Sequence, residues 1–161
     1  MQVKSETGKH SPLTAAGIVL GLGIGGFFDG IVFHQILQWH HMLSSARPTE
    51  SVSDLKANMV GDGLFEAATL LLTVAGIVLL WRAGQGGYIP RSSKSFSGPL
   101  LIGAGLFNLV EGLIDHQILG IHHLKPGPHQ LTWDIGFLAS GIILAALGWL
   151  LLQTGQQDTV T

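Results

Sequence analysis

The sequence predicts an all-α integral membrane protein, a four-helix bundle built from two tandem two-helix repeats, and three observations carry that reading. Four apolar runs are each near the length of about 20 residues that a spanning helix needs. Hydrophobic residues make up 47% of the 161-residue chain and charged residues only 11%, which leaves little polar surface to offer water. A histidine block also occurs twice. His34-Gln-Ile-Leu-Gln-Trp-His40-His41 returns as His116-Gln-Ile-Leu-Gly-Ile-His122-His123, and an acid precedes each copy at the same distance, Asp29 in one and Glu111 in the other.

The first run, Leu13 to Leu37, is expected to be retained rather than cleaved as a signal peptide. It is long, carries Asp29 and His34, lacks a small-residue cleavage pattern and has a counterpart inside the chain. Gly17, Gly21 and Gly25 recur in it at four-residue spacing, which lets a neighbouring helix approach closely. The stretch Gly21-Leu-Gly23-Ile-Gly25-Gly26 superficially matches a nucleotide-binding glycine loop, but no strand precedes it, so packing is the better reading. The second run, Met59 to Trp81, carries Asp62 and Glu66 near its start. Gly103, Gly105 and Gly112 populate the third, Pro99 to Leu119, which ends on Glu111, Asp115 and His116. Asp134 opens the fourth, Leu131 to Leu152. Trp39, Trp81, Trp133 and Trp149 lie near span ends and need no role beyond the interfacial aromatic belt. Residues 1–161 thus read as a single membrane domain with short polar termini, repeat 1 covering about 13–81 and repeat 2 about 99–152.

Asp29 and Glu111, His34 and His116, and His41 and His123 are each 82 positions apart, whereas Asp62 and Asp134 are 72 apart. The first half therefore holds ten extra residues, placed in its outer loop around Arg47 to Asp54. Each half crosses the membrane twice, so the halves share an orientation and imply a pseudo-twofold axis along the membrane normal. Lys4, Lys9, Arg82, Arg91 and Lys94 fall on one side, and Arg47, Lys56 and Lys125 on the other. The positive-inside rule makes the first side, with both termini, cytoplasmic. The histidine blocks then approach the outer face.

The chain has no cysteine, which excludes disulfides, thiolate metal sites and a thiol nucleophile. A net charge of -2 gives no reason to expect a nucleic-acid partner. Acids and imidazoles in a bilayer are costly unless something binds them, and the leading candidate is a metal. Counting about 1.5 Å per residue yields three layers. The outer one holds His40, His41, His122, His123 and His129; the middle one His34, His116, Asp115, Glu66, Asp62 and Asp134; the inner one Asp29 and Glu111. On a wheel of about 100° per residue, His34 and His41 share one stripe and Asp29 and His40 another, roughly 120° away. His34, His116, Asp115 and Glu66 are the expected inner ligands, and the His-His pairs are outer ligands or an access route. Asp29 and Glu111 are inner ligands, ligand partners or a proton relay.

For His10 or His129 alone, an interfacial polar role is the better reading. Asp62 and Asp134 read equally well as acids complementing a helix N-terminus. Mixed imidazole and carboxylate suit Zn, Fe or Mn better than Cu(I), and a histidine-rich set can hold Cu(II). One centre or a dinuclear one both fit the ligand count. The functional reading is a membrane metal-binding protein with its site near the outer leaflet, with small-molecule oxidoreductase chemistry as one extension. Metal-ion transport through successive layers is the alternative. A bis-histidine b-type haem between His34 and His116 ranks lower, because haem needs no carboxylates at that level. Expected partners are the lipid bilayer and metal ions, with a homo-oligomer or other membrane subunits left open.

The run Gly26-Phe-Phe-Asp29-Gly-Ile-Val-Phe-His34-Gln-Ile-Leu-Gln-Trp-His40-His41, with Asp62-Gly-Leu-Phe and Asp115-His116-Gln-Ile-Leu-Gly-Ile-His122-His123, resembles a bacterial family of four-helix membrane proteins, domain-of-unknown-function family 2243. The resemblance covers nearly everything from Pro12 to Leu152. It implies the fold and the polar positions, and it implies no activity; the expected location is a bacterial inner membrane.

Overall fold

In the computed structural model, which describes residues 11–88 and 92–157, the four runs are four helices, each long and apolar enough to cross a bilayer. Helix α1 (Ser11–Asp29) continues into a π-helical segment, π1 (Gly30–Ile36). After a loop comes α2 (Val52–Gln85). Helix α3 (Ser93–Glu111) continues in the same way into π2 (Gly112–Ile118), and α4 spans Gln130–Gln157. There is no strand among the described residues. His10, Lys4, Lys9 and Arg91, used in the sequence reading, lie outside them.

Two helices start earlier than their apolar runs. Helix α2 begins at Val52 rather than Met59, because Ser51 Oγ accepts the Asp54 amide hydrogen and caps the helix within polar sequence. Helix α3 begins at Ser93 rather than Pro99, with Ser92 Oγ accepting from the Lys94 amide. At 34 residues, α2 is about 51 Å long and exceeds the roughly 30 Å of hydrocarbon. Its polar first turns stand beyond the apolar layer.

The glycines decide which helix meets which. A methyl group on Gly21 would strike the Leu100 carbonyl, and one on Gly103 the Ile18 carbonyl, so α1 and α3 cross backbone to backbone as the central pair. On another side of α1, Gly23 and Gly26 abut Thr73 and Thr69 of α2, while Gly105 abuts Gly141 and Ala145 of α4. Thus α2 packs on α1 and α4 on α3. The outer faces of α2 and α4 expose Leu71, Ile77, Trp81, Ile142 and Leu150, apolar surface suited to lipid.

The ends of the two central helices unwind alike. In π1 the Leu37 amide donates to Val32 O at 2.8 Å and the Trp39 amide to Phe33 O at 2.9 Å. Eighty-two positions on, the Leu119 amide donates to Ile114 O at 2.8 Å and the Ile121 amide to Asp115 O at 3.1 Å. Gln38 then adopts φ 49° and Gly120 φ 57°. This left-handed step turns the chain back over the helix end, so the next residues point into the bundle instead of onward toward the interface.

Candidate metal centre

That reversal places His40 and His122 beside the deep acids. Asp29, His34, His40, Glu111, His116 and His122 are each at most 4% exposed, and they form one cluster at the junction of the central helices. His34 Nε2 lies 3.1 Å from Asp29 Oδ2, His40 Nε2 3.8 Å from the same oxygen, and His122 Nε2 3.6 Å from Glu111 Oε1. Three triads have ligand atoms within 4.8 Å of one another: His34, His40 and His122; Glu111, His116 and His122; Asp29, His34 and Glu111. Ligands about 2.0–2.2 Å from a common ion stand roughly 3–4.4 Å apart. The acid–imidazole separations of 3.1–3.8 Å fall in that range.

The rings are oriented from behind. His34 Nδ1 donates to Asp62 Oδ1 at 2.9 Å, His40 Nδ1 to Leu124 O at 2.8 Å, and His122 Nδ1 to Met42 O at 3.1 Å. A carbonyl oxygen only accepts, so Nδ1 of His40 and His122 carries the proton, and the neutral ring presents an Nε2 lone pair. Burial, followed by the neighbouring His40, His116 and His34 rings, pushes the His122 pKa down to about 3, which keeps that ring neutral at physiological pH. His116 Nδ1 lies 3.4 Å from Asp134 Oδ1. The contacts of His40 and His122 are crossed: each half's histidine is held by a carbonyl of the other half's loop. Their rings stack parallel with centroids 4.7 Å apart.

With Nδ1 hydrogen-bonded in His34, His40 and His122 but not in His116, the inward atoms are left over. Nε2 of His34, His40, His116 and His122, both oxygens of Asp29 and both of Glu111 are buried and make no hydrogen bond, the 3.1 Å approach of His34 Nε2 to Asp29 Oδ2 being an ion-pair contact alone. Leaving a buried polar group unpaired costs about 1–3 kcal/mol. Eight such atoms in one cluster could hold a cation.

The sequence-derived layers therefore regroup. His40 and His122, expected in the outer layer, join Asp29 and Glu111, because the π segments and the reversal break the uniform rise assumed in the depth count. At about 100° per residue, Asp29 and His34 would lie some 140° apart. Hydrogen bonding from i to i+5 brings them together. His41 and His123 are partly exposed, and each donates Nδ1–H at 2.7 Å, His41 to Asp62 Oδ2 and His123 to Asp134 Oδ2. Asp62 Oδ1 also accepts the Met42 amide at 2.8 Å, and Asp134 Oδ1 the Leu124 amide at 3.0 Å. Asp62 lies well inside α2, not at its N-terminus, and both acids tie histidine to loop backbone.

Glu66 and Asp115, expected as inner ligands, are half-buried and belong to none of the three triads. The Glu66 carboxylate lies over Gly30, where a Cβ would collide with it. His129 is exposed.

Several contributors escaped the sequence reading. Phe65 stacks on His34 with centroids 5.4 Å apart, and Phe137 packs against His116 at 5.2 Å. Each stands three residues after Asp62 or Asp134, so a repeated Asp-x-x-Phe spacing was the available signal. Asn58, fully buried, accepts from the Leu43 amide and donates to Arg47 O, pinning the loop between π1 and α2. Lys125 Nζ sits 4.5 Å from the Trp39 ring centroid and 5.3 Å from that of Trp133, so these tryptophans join the two loops as well as lying near span ends.

No curated protein and no solved structure matches the chain. The family described as "Predicted membrane protein (DUF2243)" matches residues 16–155, the interval that contains three of the four spans whole, all but the first residues of the other, and every member of the buried cluster. With its paired histidine blocks and four apolar helices, the chain belongs to that DUF2243 family.

Proposed function

We propose that this chain is an integral membrane metalloprotein in which Asp29, His34 and His40 from one half, and Glu111, His116 and His122 from the other, hold a resident transition metal. The observation that carries the reading is the set of buried Nε2 and carboxylate atoms with no hydrogen-bond partner, in rings whose Nδ1 atoms are mostly tethered from behind. Metal-bound histidines are typically held in this way, through the other ring nitrogen. Imidazole mixed with carboxylate favours Fe, Mn or Zn over Cu(I).

The recurrence of π segments, left-handed steps and crossed contacts at one 82-residue offset supports two tandem repeats related by an axis along the membrane normal. On the distribution of Lys and Arg, the histidine loops face outward and both termini are cytoplasmic. In a bacterial inner membrane the centre would then lie in the outer half of the bilayer. Oxidoreductase chemistry on a small molecule is the activity such a site best serves, since a redox metal with an open position activates small ligands.

Convergence of members of all three sequence layers, His40 and His122, His34 and His116, and Asp29 and Glu111, into one cluster favours a resident ion over one relayed between stations. Haem is disfavoured because the space between His34 and His116 is taken by the stacked His40 and His122 rings. Elemental analysis of protein purified without nickel resin or chelators tests the reading. Stoichiometric Fe or Mn with a ligand-sensitive optical or paramagnetic signal is expected. Silent Zn would contradict the redox assignment, and metal flux into proteoliposomes that depends on Asp29 and Glu111 would replace residence with transport.

A further inference from the structure

Resting on the metal reading above, we infer that the centre is dinuclear, two divalent first-row transition-metal ions side by side, one held by Asp29, His34 and His40 and the other by Glu111, His116 and His122. The donors are duplicated at one offset, an acid and two imidazoles from each central helix end. They fall into three overlapping triads instead of one sixfold shell. A single ion seated in any one triad leaves the other three buried residues of the cluster without it.

Two ions engage them all. Asp29 Oδ2 is 3.1 Å from His34 Nε2 and 3.8 Å from His40 Nε2, which closes the first position. Glu111, His116 and His122 form a triad by themselves and close the second. Of the other two triads, Asp29 with His34 and Glu111 brings the acids of the two halves together, so a carboxylate can bridge the ions as in carboxylate-histidine sites of helical bundles, and His34 with His40 and His122 brings their imidazoles together. Charge agrees with the count. Asp29 and Glu111 within the cluster, with Asp62 and Asp134 hydrogen-bonded or close behind it, carry four negative charges when ionised and match two divalent cations. In a low-dielectric interior that balance matters more than it would in water.

The test combines stoichiometry with distance. Full-length apoprotein in detergent is reloaded anaerobically with Fe(II), its metal content is measured, and X-ray absorption is recorded at the iron edge. Two ions per chain and an iron–iron vector of roughly 3.5–4 Å are expected. His116→Ala/His122→Ala should retain one ion and lose the vector. One ion per chain in the unmodified protein, or two ions without the vector, overturns the dinuclear assignment while leaving a metalloprotein. No bound metal overturns both. Should the double variant fail to fold, the vector in the unmodified protein still decides.

Discussion

Asp62 accepts from three donors at once, the His34 and His41 rings and the Met42 amide, and so fixes both a ligand and the loop that follows it. Asp62→Ala is expected to weaken metal binding about 10- to 100-fold, the usual cost of losing such a partner, as read by competition with a metal indicator; unchanged affinity would show that the tether is dispensable. The reversal residues make a second test, because the halves solve one backbone problem with different side chains. Gln38 at φ 49° is in the left-handed region that costs a non-glycine residue about 1–2 kcal/mol. Gln38→Gly should stabilise the protein by about 1 kcal/mol and Gly120→Ala should destabilise it similarly, measured by unfolding in detergent. At this scale the sequence named every member of the buried cluster, since the twice-occurring histidine block with its preceding acid singles them out. It misplaced His40 and His122, because a glutamine at position 38 gives no signal of a left-handed turn. It promoted Glu66 and Asp115 on depth alone.

The helices were legible because hydropathy reports span length directly, and their starts were misjudged only where Ser51 and Ser92 cap polar turns beyond the apolar runs. The π segments were not legible, since a wheel drawn at α-helical pitch separates Asp29 from His34. Spaced glycines, by contrast, foretold the tight crossing of α1 and α3. Gly21→Ala drives a methyl group into the Leu100 carbonyl and should cost about 1–3 kcal/mol, as overpacking does, with metal retention falling alongside. Gly63 has nothing within 4 Å of an added Cβ, and Gly63→Ala should leave stability unchanged or raise it by up to about 1 kcal/mol. Equal losses from both in thermal unfolding would refute the packing assignment.

For the molecule as a whole, topology and centre stand or fall separately. The chain lacks cysteine, so a single introduced thiol reports its side of the membrane without background. Glu50→Cys in the first outer loop should react with a membrane-impermeant maleimide on intact cells, and Gln85→Cys at the far end of α2 only after permeabilisation. The reverse pattern would invert the orientation drawn from eight basic residues. The central claim is that side chains from both halves share bound metal inside the membrane domain. The most direct measurement is metal per chain in gently purified protein, compared with His34→Ala and His116→Ala. The account predicts stoichiometric metal in the unmodified protein and a marked loss when either half is altered; a well-folded protein that neither carries nor takes up metal would contradict it.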